Sequence, residues 1–247
     1  MSRTDDFLRV PVWYPALSPY TWDTRFVKLN PEAVALLAAG KSGQEDEDPL
    51  YSPAAKSLMH AMEVQMAEIP GNAFVFVDRC APTDTERFAS KGGAVYSARS
   101  ALNNLLESRK VSEAARRGEV EFVCMRPYRN ITRAREFRLF IYEGKLSAVS
   151  QYNLIRHFRR LEGVKDLYWQ LADDLVNEIS WQLPVKTLVM DIYITSKKTI
   201  LIVDLNPWGG DTDPLMLRTW ERDWSVPAGM QLMAPPVPLS GDVTVSF

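Results

Sequence analysis

The chain has 247 residues, of which 46% are apolar and 24% charged, and its formal net charge is −2. These values suit one large globular domain or two lobes sharing a site, and they exclude a global basic field for DNA. The two cysteines, Cys80 and Cys124, are too few and too far apart for a disulfide framework, and His60 and His157 give no zinc spacing.

The Pro-rich start around "VWYPAL" reads as irregular, and "TRFVKL" (Thr24–Leu29) as a short strand. In "NPEAVALLAAG", Asn30 is the N-cap, Pro31 takes the first helical position and Gly40 is the stop. "KSGQEDEDP" reads as a charged, mobile loop. The next helix places Leu58, Met62, Met66 and Ile69 on one face. "NAFVFVD" (Asn72–Asp78) is a strand, and "APTDTERFAS" is a loop entering a short helix capped by Thr83 or Asp84. "SARSALNNLLESRKVSEAARRG" reads as one helix with Leu102, Leu105 and Leu106 inward.

A strand-rich block follows, made of Val120–Tyr128, Arg135–Gly144 and Lys145–Asn153, with a hairpin turn at "YEGK". An amphipathic helix over Val164–Leu183 separates it from a last hairpin, "TLVMDIYIT" and "TILIVDLNP", joined by "SKK". From Pro227 the chain is a Pro-rich tail that is expected to wrap the surface. The plan is α+β, with an N-terminal lobe at 1–119, a C-terminal lobe at 120–226 and the tail at 227–247. A membrane span would need roughly 18 consecutive apolar residues, and no such run is present. The start, "MSRTDDFLRV", is too polar for a signal peptide, so the expected location is the cytoplasm.

The last hairpin carries the chemistry. Antiparallel pairing about a turn near Ser196 to Lys198 sets Asp191 opposite Asp204, and Asn206 lies two residues on, on the same face. Two facing carboxylates repel unless a positive charge sits between them or one is protonated. Three converging oxygen-bearing side chains with open positions suit Mg²⁺, with phosphates completing its shell. The other reading is an exposed acid pair with no ligand. A second, basic cluster, "MRPYRNITRAREFRLF", holds Arg126, Arg129, Arg133, Arg135 and Arg138. Glu136 and Arg138 share one strand face, either as a structural ion pair or as the lining of a polar cleft. Arginine is the preferred bidentate donor to phosphate.

The ordered series "WYP", "FVFVDRCAPTD", "RPYR", "EFRLFIYEGKLSAVSQ", "DIY" and "LIVDLNPWGGDTDPLM" resembles the cell-division-cycle protein 123 family, from Trp13 to about Trp224. The resemblance implies an ATP-grasp-like α+β fold, two lobes with antiparallel sheets enclosing a nucleotide cleft. It implies ATP and Mg²⁺ as ligands, with Asp191, Asp204 and Asn206 on the metal. Arg126 and Arg138 would hold phosphates or an acyl-phosphate as the catalytic residues, and Gln151 would lie near the same cleft. The chain departs from the family where Phe76, Thr83 and Tyr152 replace expected basic residues. That implies weaker nucleotide affinity or a changed substrate, unless Arg79 or Lys91 substitutes.

The activity implied is ATP-dependent carboxylate–amine ligation. The alternative is a non-catalytic nucleotide-binding chaperone, since eukaryotic members assist assembly of translation initiation factor 2 through its gamma subunit. An Ala- and Arg-rich composition suggests a divergent, bacterial-type member. A third reading is a partner-binding protein without nucleotide, displaying Trp208, Trp220 and Trp224. The expected partners are ATP and a protein or peptide, with no DNA and no membrane.

Overall fold

The computed structural model describes residues 6–41, 48–210 and 212–236. The chain divides into two compact units, Met1–Ile131 and Thr132–Phe247.

The first unit runs α1 (Val10–Leu17), β1 (Arg25–Lys28), α2 (Pro31–Ala39), α3 (Pro53–Met66), β2 (Ala73–Val77), α4 (Glu86–Lys91), β3 (Ala94–Val95), α5 (Ala98–Glu107), α6 (Arg109–Arg116) and β4 (Phe122–Pro127). Its sheet has the order β1-β4-β2-β3, and the pairs β1/β4, β4/β2 and β2/β3 are all antiparallel. Strand β4, assigned to the second lobe from sequence, is therefore central to the first sheet. The core lies on one face, where Val75, Val77, Val123 and Met125 meet Leu37, Met62, Leu102 and Leu105.

Local chemistry explains the helices. Asn30 Oδ1 accepts from the Ala33 N–H, Pro31 opens α2 and Gly40 ends it at φ 63°. Three sequence expectations need correction. The Pro-rich start is helical, because Pro11 sits in the first turn and Pro15 falls late in α1, where one lost hydrogen bond is tolerated. The cap of α4 is Thr85, not Thr83 or Asp84, and its hydroxyl also donates to Asn104 Oδ1 at 2.7 Å. The helix expected through residue 116 breaks at Ser108, which leaves the helical region and caps α6 by accepting from the Val111 N–H. Most of the charged loop expected near residue 45 lies outside the described residues.

The second unit runs β5 (Glu136–Tyr142), β6 (Lys145–Gln151), α7 (Arg159–Glu162), α8 (Lys165–Ile179), β7 (Leu188–Ile194), β8 (Ile200–Asn206) and β9 (Gly229–Gln231). Its sheet has the order β8-β7-β5-β6-β9, antiparallel except for the parallel β6/β9 pair. Glu143 and Gly144, at φ 50° and 77°, form the tight β5/β6 turn that needs two left-handed residues. Tyr168, Ala172, Leu175, Val176 and Ile179 form the buried stripe of α8, and the Tyr168 ring meets Phe137 edge-on at 5.6 Å. The tail expected from Pro227 supplies β9, and residues 237–247 lie outside the description.

Alternation fixes which side chains share a face. Phe137, Leu139 and Ile141 pair with Ile192, Met190 and Leu188 on the α8 side. Glu136, Arg138 and Phe140 face the other way, with Ala148 and Ser150 on one neighbour and Val189 and Asp191 on the other.

Candidate functional site

That second face has an aromatic end and a polar end. At the aromatic end Phe140, Ala148 and Val189 are covered by Trp224, with Trp208 and Trp220 packed against them. Phe140 stacks on Trp224 at 5.3 Å, and Trp208 meets Trp224 edge-on at 4.7 Å. The indole N–H groups of Trp220 and Trp224 donate to Thr212 O and Trp220 O, both at 3.0 Å. These tryptophans are packing residues, not a display surface.

The polar end is built from β5, β7 and β8. The expected register is present, with Asp191 opposite Asp204 and Val189 opposite Asn206. The register slips by one immediately afterwards, where Ile192 pairs with Ile202, so Val203 forms a bulge beside the acid pair. The positive charge that two facing acids require is Arg138. Its Nε donates to Asp191 Oδ1 at 2.7 Å and its Nη2 to Asp191 Oδ2 at 2.8 Å. Its Nη1 donates to the Asp213 carbonyl at 2.8 Å, and its guanidinium lies 5.3 Å from the centre of the Tyr152 ring. Arg138 is 6% exposed and Asp191 8%, so this is a buried bidentate pair. Burial works against the charge on Arg138, but the hydrogen bonds and charge of Asp191 outweigh it and raise the arginine pKa.

Asn206 Nδ2 donates to Asp191 Oδ2 at 3.0 Å, which leaves the amide oxygen of Asn206 as its donor atom for a cation. Asp204 is half-buried, and its Oδ1 accepts from the Leu205 N–H at 2.9 Å. Glu136, on the same face, is pushed up to about 7 by burial first and by Asp191 second, with Arg133 opposing. Burial, Asp191 and further acids push Tyr152 up to about 12.

The structure thus brings Arg138, Asp191, Asp204 and Asn206 together. Gln151 points elsewhere. It is fully buried opposite Phe137, its Nε2 donates to Asn153 O and Arg156 O, and its Oε1 accepts from the Met233 N–H. Arg126 belongs to the first unit, where its guanidinium sits 4.6 Å from the Trp22 ring centre, 5.0 Å from Phe76 and 5.3 Å from Phe74. Phe76, standing where a cation was expected, is part of that aromatic cage. Arg138 pairs with Asp191, so of the two readings for Glu136 the ion pair with Arg138 is not the one formed, and the Asp213 carbonyl was not foreseen. The alternation of "EFRLF" could flag Glu136, whereas nothing local flags a carbonyl reached from 75 residues away.

The donor set can be tested against Mg²⁺. Among the described residues no group of three His, Cys, Asp or Glu side chains could hold a metal ion by itself. Asp204 and the Asn206 amide oxygen give a hard but incomplete shell, while both Asp191 oxygens are engaged by Arg138. This fits a magnesium ion that keeps waters and borrows phosphate oxygens, and does not fit a stand-alone structural metal.

The D123 family model matches residues 97–223, just over half of the chain. The chain belongs to the D123 family. Cell division cycle protein 123 of Candida glabrata is 38% identical over 106 residues, which cover 42% of this chain and 29% of that protein. The translation initiation factor eIF2 assembly protein of Vanderwaltozyma polyspora is 30% identical over 118 residues, covering 47% and 31%. The aligned part is thus less than a third of each of these relatives. The C-terminally truncated Cdc123 structure from Schizosaccharomyces pombe superposes with a TM-score of 0.76 at 20% identity, over 93% of this chain and 96% of that one. The fold is therefore that of Cdc123, as the family resemblance implied. The relatives named are eukaryotic, and the bacterial-type origin suggested by composition finds no support in them. No helix among the described residues is long and apolar enough to cross a membrane.

Proposed function

We propose that this chain is a nucleotide-dependent assembly chaperone for a translation initiation factor, rather than a ligase. One observation carries the choice. Three of the five N–H donors of the buried Arg138 are committed, two to Asp191 and one to the Asp213 carbonyl. A guanidinium already paired side-on with a buried carboxylate has most of its charge offset before any transition-state charge could develop. Arg138 instead behaves as a positioning residue that neutralises Asp191. Asp191 in turn orients the Asn206 amide. The partner half of the reading rests on the relatives named as eIF2 assembly proteins, and the nucleotide half on the ATP-grasp resemblance of the family.

In this reading Asp204 and Asn206 hold Mg²⁺ with the phosphates of ATP. The ion supplies charge neutralisation to the triphosphate. The chain's own residues supply orientation, with Asp191 turning Asn206 and Arg138 holding Asp191 side-on in a buried position. No side chain is asked to act as a nucleophile.

Thermal unfolding with ATP and Mg²⁺ tests the reading. At ligand 100 times its Kd, binding adds about 2.7 kcal/mol. Asp204→Ala is expected to abolish the Mg²⁺-dependent part of that shift. A persistent shift in the variant removes Asp204 from the site. ADP or AMP release stimulated by amino acids or peptides would restore the ligase reading.

A further inference from the structure

A basic, apolar-centred surface lies at the end of the β5/β6 hairpin remote from its turn. The Tyr152 N–H donates to the Glu136 carbonyl, so the segment leaving β6 starts beside the segment entering β5. The entering segment carries Arg133 and Arg135, and the leaving one reads "YNLIRHFRR", with Arg156, Arg159 and Arg160. Arg133, Arg156, Arg159 and Arg160 are exposed and Arg135 is half-buried. Arg133 leans electrostatically on Glu136, while the other four make no ion pair among the described residues. The nearby acid Glu162 faces His157 at 3.6 Å instead. In the leaving segment, next to Arg156, Ile155 is 81% exposed.

The backbone that presents Ile155 is held from beneath. Gln151, fully buried, donates to the carbonyls of Asn153 and Arg156, and its own oxygen accepts from the Met233 N–H. His157 Nδ1 lies 2.8 Å from the Met233 carbonyl, which can only accept, so that nitrogen donates. A buried amide whose N–H groups both hold one loop pre-organises that loop, and pre-organisation lowers the entropic cost of docking. Like charges gathered on a chain of net charge −2 repel one another and gain from an opposite surface. A solvent-exposed isoleucine in the same segment gains from apolar contact and reads no base or phosphate.

We propose that Ile155, with Arg156, Arg159 and Arg160 of its own segment and Arg135 of the adjoining one, forms the docking surface for an acidic protein segment carrying an apolar anchor residue. The proposal rests on the partner half of the reading above and is independent of the nucleotide half. The probe is a fluorescent Asp/Glu-rich peptide with one central leucine, titrated by anisotropy against the full chain. Its leucine-to-serine version and a uridine oligonucleotide of equal length serve as comparisons.

The leucine peptide is expected to bind most tightly, with affinity falling as salt rises. Arg156→Glu with Arg159→Glu and Arg160→Glu is expected to weaken it by about 10-fold or more, and Ile155→Ser by a smaller factor of about 3. These positions are exposed, so circular dichroism and the ATP–Mg²⁺ thermal shift should match the parent chain. Equal peptide affinity in the charge-reversed variant, or tighter binding of the oligonucleotide, overturns the proposal. A normal nucleotide shift without peptide binding sinks the docking surface alone. Peptide binding without a nucleotide shift sinks the nucleotide reading alone.

Discussion

Replacing Arg138 by methionine isolates the central interaction of the second sheet. The change keeps most of the aliphatic stem and removes the guanidinium, with its contacts to both Asp191 oxygens, to the Asp213 carbonyl and to the Tyr152 ring. Asp191, 8% exposed, would be left as a buried carboxylate facing Asp204, with the Asn206 amide as its remaining donor. Removing one partner of a buried pair costs about 3–5 kcal/mol, because the other charge stays desolvated. Replacing both, as Arg138→Met with Asp191→Leu, removes that uncompensated charge and should recover most of the loss. The cycle is therefore expected to be non-additive by about 2 kcal/mol or more. Urea unfolding followed by tryptophan fluorescence is the assay, since the Trp208, Trp220 and Trp224 cluster sits on the same sheet face. A single-variant cost below about 1 kcal/mol, the range of an exposed ion pair, would refute the argument that Arg138 is a buried clamp.

Glu136 predicts a pH dependence. Its folded pKa is raised to about 7 from an ordinary 4.5, so between those values the folded chain keeps a proton that the unfolded chain has lost. Stability should fall as pH rises from about 4.5 to about 7, by at most about 3 kcal/mol, and Glu136→Gln should flatten that part of the profile. Phe140→Ala removes the ring on which Trp220 and Trp224 pack and should cost about 3–5 kcal/mol in the same urea assay. Ser108→Ala removes the cap of α6 and the hydrogen bond to Asp84 Oδ1, for about 1–2 kcal/mol by thermal melting.

Local rules made parts of the fold and site legible in the sequence. Asn30, Pro31 and Gly40 bound α2 by capping chemistry that acts within four residues. The Asp191–Asp204 register follows from a short turn and strict alternation. What stayed hidden was non-local or competitive. Arg138 and Asp191 are 53 residues apart and meet only because β5 and β7 become neighbours. The break at Ser108 hides in a continuous helical pattern, and it is set by the Asp84 carboxylate, which accepts from the Ser108 hydroxyl and from the Lys110 N–H. Gln151 carries a motif position in "SQ", but which way it turns depends on where Asn153, Arg156 and Met233 end up.

The arrangement also explains why one arginine can sit between two acids without cancelling the site. Arg138 approaches Asp191 side-on and uses both oxygens, so its charge is spent on one carboxylate rather than shared with Asp204. Asp191 Oδ2, which already accepts from Arg138, has a second lone pair that accepts from Asn206 and so orients the amide. In the proposed site a cation would be met by the Asp204 carboxylate and the Asn206 amide oxygen. Had Arg138 bridged both acids, the same residues would have made a closed ion-pair network and a purely structural sheet. The difference lies in the register of β5 against β7, which sets Arg138 opposite Asp191 and one strand away from Asp204. A one-residue slip of β5 there would turn Arg138 to the α8 face and leave Asp191 unpaired.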